Sequence, residues 1–201
     1  MGLCVGFDLD MTLIDPREGM IDAIDALSAD AGVALDSAGF AARLGPPLPV
    51  GLRAAGAPDD RIPELVTRFR TLYPDVVVPR TVPMPGALAA VASVREAGGS
   101  VIVVTGKYQP NAELHLRALG IEADAVAGEL FAETKVTALV EHGASIYVGD
   151  HVADVHGARH AGAAAVAVAS GPCGTDELAD AGADVVLTSL DDFPAWFGIN
   201  R

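Results

Sequence analysis

Short apolar runs recur along the chain, each followed by a polar or glycine turn and then by a stretch with helical spacing. Leu3–Phe7, Val101–Val104, Ala125–Val126, Ser145–Val148, Ala164–Val168 and Asp184–Leu187 are short and do not alternate with polar residues. That is the pattern of strands covered on both faces. Between them, 86–97, 110–119, 134–142, 152–161 and 175–181 carry helical spacing. Leu114, Ala118 and Leu119 share one face, as do Val136, Leu139 and Val140. Gly98-Gly99, Gly120, Gly143, Gly162 and Gly182 follow as helix stops. Strand–helix alternation of this kind predicts an α/β fold, a Rossmann-like parallel sheet with right-handed crossovers.

Between Ile14 and Pro83 the rhythm breaks, and no strand pattern stands out. Helices are expected over 17–31, 37–43, 48–55 and 59–72, with loops at Gly45-Pro46-Pro47 and Ala57-Pro58. The expected organisation is an α/β core of residues 1–14 and 84–201, with a small helical domain, 15–83, inserted after the first strand. Asp15-Pro16 and Pro79–Pro85 read as its hinges.

Charge and composition narrow the function classes. The 201 residues carry a formal net charge of −14. A chain so acidic lacks the basic footprint of a nucleic-acid binder and repels anionic membranes. An anionic substrate would need a local cation to overcome that field. Cys4 and Cys173 have no framework of spaced cysteines around them and read as packing residues. The start of the chain lacks the charged and apolar regions of a signal peptide, and no apolar run is long enough for a membrane span. A cytoplasmic protein is the expectation.

Four places carry candidate chemistry. The first strand runs into Asp8, Leu9, Asp10, Met11 and Thr12. Carboxylates two residues apart on an extended chain point to one side, and strand ends are where open α/β sheets build ligand sites. Val101–Val104 ends in Thr105-Gly106-Lys107, a hydroxyl and turn amides suited to a phosphoryl oxygen. Lys135 opens a helix-like segment; Lys107 is the chain's other lysine. Finally, Ile146–Val148 leads to Gly149-Asp150, with Asp154 four residues on. Asp150 could ligate a hard cation and Asp154 could orient that site. So few carboxylates suit Mg²⁺ better than Ca²⁺. His156 and His160, four apart, could present a zinc face, but no third ligand is spaced to join them. His151 reads as a solvated loop histidine. Trp196 and Phe197 are expected to pack the last helix.

Taken in order, Asp8-Leu9-Asp10-Met11-Thr12, Thr105, Lys135 and Gly149-Asp150 with Asp154 resemble the four motifs of the haloacid dehalogenase superfamily. The inserted helices look like that family's C1 cap. The loop Leu44-Gly45-Pro46-Pro47-Leu48 looks like the substrate loop of its phosphoglycolate-phosphatase-like members. Three positions depart from the pattern: Met11 and Gly106 stand where Gly and Asn are usual, and His151 where Thr or Ser is frequent.

The resemblance implies a Mg²⁺-dependent phosphatase acting on a small phosphorylated metabolite. Asp8 would be the nucleophile and Asp10 the general acid and base. The metal would be held by Asp8, Asp10 through its carbonyl, and Asp150, with Asp154 behind them. Thr105 and Lys135 would bind the transferring phosphoryl group, with Gly106 in the adjoining turn and Thr12 supporting the loop. Arg43 and Arg53 are the cap cations that could read a second anionic group. Lys107, at a turn, is expected to matter less than Lys135. A sugar phosphomutase shares this machinery. A non-catalytic binding module would not need the full set of acids and lysine.

Overall fold

A computed structural model of the chain describes residues 2–200. The elements run β1 (Cys4–Phe7), β2 (Ile14–Asp15), α1 (Arg17–Ala31), α2 (Ser37–Ala41), α3 (Leu48–Ala54), α4 (Ile62–Val76), β3 (Val82–Pro83), α5 (Ala87–Glu96), β4 (Ser100–Val104) and α6 (Gln109–Leu119). They continue with β5 (Ala125–Ala127), α7 (Glu133–Glu141), β6 (Ile146–Gly149), α8 (Val152–Ala161), β7 (Ala164–Val168), α9 (Thr175–Asp180), β8 (Val185–Leu187) and α10 (Phe193–Asn200).

Six strands form one parallel sheet in the order β5-β4-β1-β6-β7-β8. Successive strand residues face opposite ways, so each strand serves two cores. Val5, Phe7, Val101 and Val103 pack with Val91 and Val94 of α5, Leu116 of α6 and the rings of Phe193 and Phe197. Cys4, Ile102, Val104 and Tyr147 pack on the other face with Leu139 of α7, Val155 of α8 and Leu178 of α9. Burial on both faces explains why these strands read as unbroken apolar runs. No helix among the described residues is long and apolar enough to cross a membrane.

Residues 17–76 form a separate helical unit with its own core. Met20, Ala23, Ile24 and Leu27 of α1 meet Leu65, Phe69 and Tyr73 of α4, with Phe40 and Leu52 between them. Two features differ from expectation. The ends of the insertion pair as β2 and β3, an antiparallel ribbon in which Ile14 faces Pro83 and Asp15 faces Val82. Two-residue strands carry no periodicity to read. Helix α4 also runs past Leu72 and through Pro74, because Tyr73 and Val77 continue its buried stripe and the Val77 amide still bonds the Tyr73 carbonyl at 2.9 Å. A short 3₁₀ turn, Asp59–Arg61, precedes it.

Candidate active site

Strand β1 is central, with β4 on one side and β6 on the other, so the loops after these three strands meet at one end of the sheet. The Asp8 amide still bonds the Val148 carbonyl at 2.8 Å, which fixes Asp8 at the strand end. The chain then turns tightly. The amides of Leu13 and Ile14 bond the Leu9 carbonyl at 2.9 and 3.0 Å, and Met11 takes a left-handed φ of 62°. A side chain resists that conformation, which explains why glycine is usual here. The Met11 amide bonds the Ile14 carbonyl at 2.8 Å, and the Ser170 hydroxyl donates to its carbonyl at 2.6 Å.

Asp8, Asp150 and Asp154 are buried, and each offers an oxygen within 4.8 Å of the others. The Thr12 hydroxyl donates to Asp150 Oδ1 at 2.9 Å, so Thr12 steadies an acid of this cluster. Lys135, on the first turn of α7, sends its three protons to Asp8 Oδ1 (2.7 Å), Asp154 Oδ1 (2.7 Å) and the Tyr147 hydroxyl (2.9 Å). Tyr147 in turn donates to the Val104 carbonyl at 2.8 Å. The other oxygen of Asp154 accepts from the His151 amide at 3.2 Å. His151 is thus no solvated loop residue. It caps α8, with Nδ1 accepting from the Ala153 amide at 3.0 Å.

The acids are in excess of the base among them. Burial pushes the Asp8 carboxyl up to about 7, with Lys135 opposing and Asp154 adding to the rise. Burial, then Asp8 and Asp154, drive Asp150 well above the usual carboxylate range. Burial works against the Lys135 ammonium, but Asp154 and Asp8 outweigh it and the group is held firmly charged.

The helical unit presses onto this end of the sheet. Gly45, at a φ of 127°, brings its carbonyl so close to Gly106 that a Cβ on Gly106 would overlap it. Thr105 is buried beside this contact, its Oγ1 accepting from the Lys107 amide at 3.2 Å. Gly106→Ala is therefore expected to destabilise the protein by about 1–3 kcal/mol through overpacking. An unchanged urea midpoint would mean that the two loops do not touch in solution.

A cavity of about 50 Å³ opens between the two units, lined on its polar side by Asp10, Arg43, Arg70, Lys107 and Asn111. Arg43 lines this cavity from an exposed position beside Asp36, 3.8 Å away. Arg53 does not: it lies outside this lining and pairs with Asp59 at 2.6 Å on the surface. Arg70 of α4 lines the cavity instead. It stacks 3.7 Å from the Tyr108 ring centroid and pairs with Glu129 at 2.7 Å, tying α4 to the sheet unit. Lys107 is buried as well. Its side chain folds back under the helical unit, 8% exposed against 3% for Lys135, with Nζ 3.0 Å from Asp10 Oδ1.

A family model described as haloacid dehalogenase-like hydrolase matches residues 5–159. The chain belongs to the haloacid dehalogenase-like hydrolases. A second, HAD-hydrolase-like model matches residues 129–193. The chain is 30% identical over 226 residues to a phosphoglycolate phosphatase from Caulobacter vibrioides, covering 96% of this chain and 90% of that protein. It is 31% identical to a phosphoglycolate phosphatase from Mesorhizobium japonicum, over 81% of this chain and 80% of that one. A haloacid dehalogenase-like hydrolase from Streptococcus pneumoniae shares the fold at a TM-score of 0.83 and 24% identity, covering 97% of this chain and 98% of that one.

Proposed function

We propose that the protein is a cytoplasmic, Mg²⁺-dependent phosphatase of small phosphate monoesters, working through an aspartyl-phosphate on Asp8. The observation that carries this reading is the meeting of Asp8, Asp150 and Asp154 with Lys135 at the sheet end, beneath the helical unit. The donor set fits a hard divalent cation. Three buried carboxylates face one ammonium, and burial among like charges drives two of them toward protonation. Asp8 and Asp150 would hold the metal with the Asp10 carbonyl, and Asp154 stands close enough to steady or join them. When bound, Mg²⁺ would neutralise charge on the phosphoryl oxygens.

The chain's own residues would do the rest. A carboxylate oxygen of Asp8 attacks phosphorus, the bond to the ester oxygen breaks, and Asp10 gives that oxygen a proton. Asp10 then takes a proton from water as it attacks phosphorus, releasing inorganic phosphate and restoring Asp8. Lys135 offsets phosphoryl charge, and Thr105 with the Gly106 turn adds donors. Residues 15–83 act as a cap that excludes water over a core of 1–14 and 84–201. The names of the relatives support a carboxylate-bearing monoester such as phosphoglycolate, with Arg43 and Arg70 lining the cavity on the leaving-group side.

A screen of small phosphate monoesters tests this reading. Stoichiometric phosphate release is expected, lost by about 10²-fold or more after chelation and restored by Mg²⁺. Isomerised sugar phosphate without phosphate release would decide for a mutase, and metal-independent turnover would remove the metal from the scheme.

A further inference from the structure

The Asp10 side chain reaches away from the acid cluster toward a second buried network. Its Oδ1 lies 3.0 Å from Lys107 Nζ. Lys107 donates to the Tyr73 hydroxyl at 2.7 Å, and that hydroxyl lies 2.7 Å from His115 Nε2. All four side chains are buried.

An ammonium donates and never accepts, so the Tyr73 oxygen accepts from Lys107, and one proton is shared between that hydroxyl and His115 Nε2. Burial and the Lys107 charge push His115 down to about 3, in keeping with a neutral ring. Burial raises the Tyr73 hydroxyl to about 12, so it keeps its proton.

Three of these groups belong to the sheet unit: Asp10 follows β1, Lys107 follows β4, and His115 is on α6. Tyr73 alone comes from the helical unit, on α4. The hydrogen bond that orients Lys107 therefore exists only while the helical unit is seated. At the other end, Asp10 Oδ1 is buried and has no aligned hydrogen-bond donor, close as Lys107 is. The lysine holds that oxygen by charge and so fixes where the Asp10 side chain lies.

We infer that Lys107, held by Tyr73 and His115, is a positioning residue for Asp10, and that Tyr73 makes this positioning depend on the seating of the helical unit. The inference rests on the reading of Asp10 as the group that protonates the leaving oxygen. It separates two kinds of ester. An alkyl ester such as phosphoglycolate needs that proton, whereas p-nitrophenyl phosphate releases a stable phenolate without it. kcat/KM covers every step through departure of the leaving group, so of the two roles of Asp10 it reports the proton donation and leaves out the later activation of water.

Tyr73→Phe keeps the ring and removes only the hydroxyl, and Lys107→Met removes the ammonium. Both are to be measured on both esters with Mg²⁺ present. For each, the fall in kcat/KM on the alkyl ester is expected to exceed that on the aryl ester by about 10-fold or more. Should Lys107→Met fail to fold, Tyr73→Phe carries the comparison alone. Equal losses on both esters would reduce the network to a structural tie or a phosphate contact and overturn the inference, as would no loss on either. A wild-type protein inert toward both esters would instead sink the phosphatase reading, and the inference with it.

Discussion

Asp8→Asn is expected to abolish turnover, by about 10⁴-fold or more, while leaving the protein folded. Asparagine has the same shape, and its carbonyl oxygen still accepts from Lys135 Nζ, which lies 2.7 Å from Asp8 Oδ1. What it lacks is the carboxylate that would bond to phosphorus. The fold has little reason to suffer, because Asp8 sits buried among acids and burial there disfavours its charge. Removing one carboxylate loses an ion pair but relieves repulsion, and Lys135 keeps Asp154 and Tyr147. The unfolding midpoint should therefore move by no more than about 1 kcal/mol equivalent. Two measurements check this: phosphate release at steady state, and the mass of protein quenched in acid during turnover. Wild type should carry one phosphoryl group and the variant none. A variant keeping a tenth of the wild-type rate would remove Asp8 from the nucleophile's role.

Much of the fold was legible because burial on both faces leaves a strong signature. Val101–Val104 and Ala164–Val168 have no polar alternation, since α5, α6 and α10 cover one side of the sheet and α7, α8 and α9 the other. The β2–β3 ribbon left no signature, since two residues cannot show a period and their pairing joins chain segments distant in sequence, in the register Ile14–Pro83 and Asp15–Val82. The end of α4 was obscured by Pro74. Proline breaks helices when judged locally, but Tyr73 and Val77 bury themselves on the stripe begun by Leu65 and Phe69 and hold the last turn in place.

The site divides in the same way. Asp8, Asp10, Thr105 and Asp150 stand at strand ends, so finding the strands found them. Tyr73, His115 and Tyr147 could not be found so. Each is an aromatic residue inside an apolar pattern, where packing is the ordinary reading, and its polar atom matters only through a partner distant in sequence. Tyr73 meets Lys107 across 34 positions and His115 across 42. Arg70 carried no mark to set it apart from Arg53. Both are cap arginines, and only the course of α4 over Tyr108 and Glu129 brings one of them to the cavity.

Lys135→Met should lower kcat/KM by about 10²-fold or more, equivalent to ~2.7 kcal/mol of transition-state stabilisation. The ammonium is 3% exposed and spends all three protons inside the site, on Asp8, Asp154 and Tyr147. A charge so placed is worth far more than an exposed one, for which roughly 0–1 kcal/mol is usual. Two roles could produce such a loss, and magnesium tells them apart. If Lys135 served only to hold Asp8 and Asp154 in place for the metal, its removal would disorder the ligands, and half-saturation by Mg²⁺ would rise along with the loss of rate. If it offsets phosphoryl charge, its removal leaves three carboxylates with no ammonium among them, and the metal should bind as tightly as before or more so. The expected result is the second: kcat/KM down, Mg²⁺ half-saturation unchanged or lower, and circular dichroism unchanged. Removing the ammonium exposes the remaining acids to one another, so kcat/KM is compared at saturating Mg²⁺, where the metal offsets their repulsion, and half-saturation is read from a separate Mg²⁺ titration. A loss accompanied by a higher Mg²⁺ half-saturation would make Lys135 a prop for the carboxylates, and a variant that keeps most of its kcat/KM would remove it from the reaction.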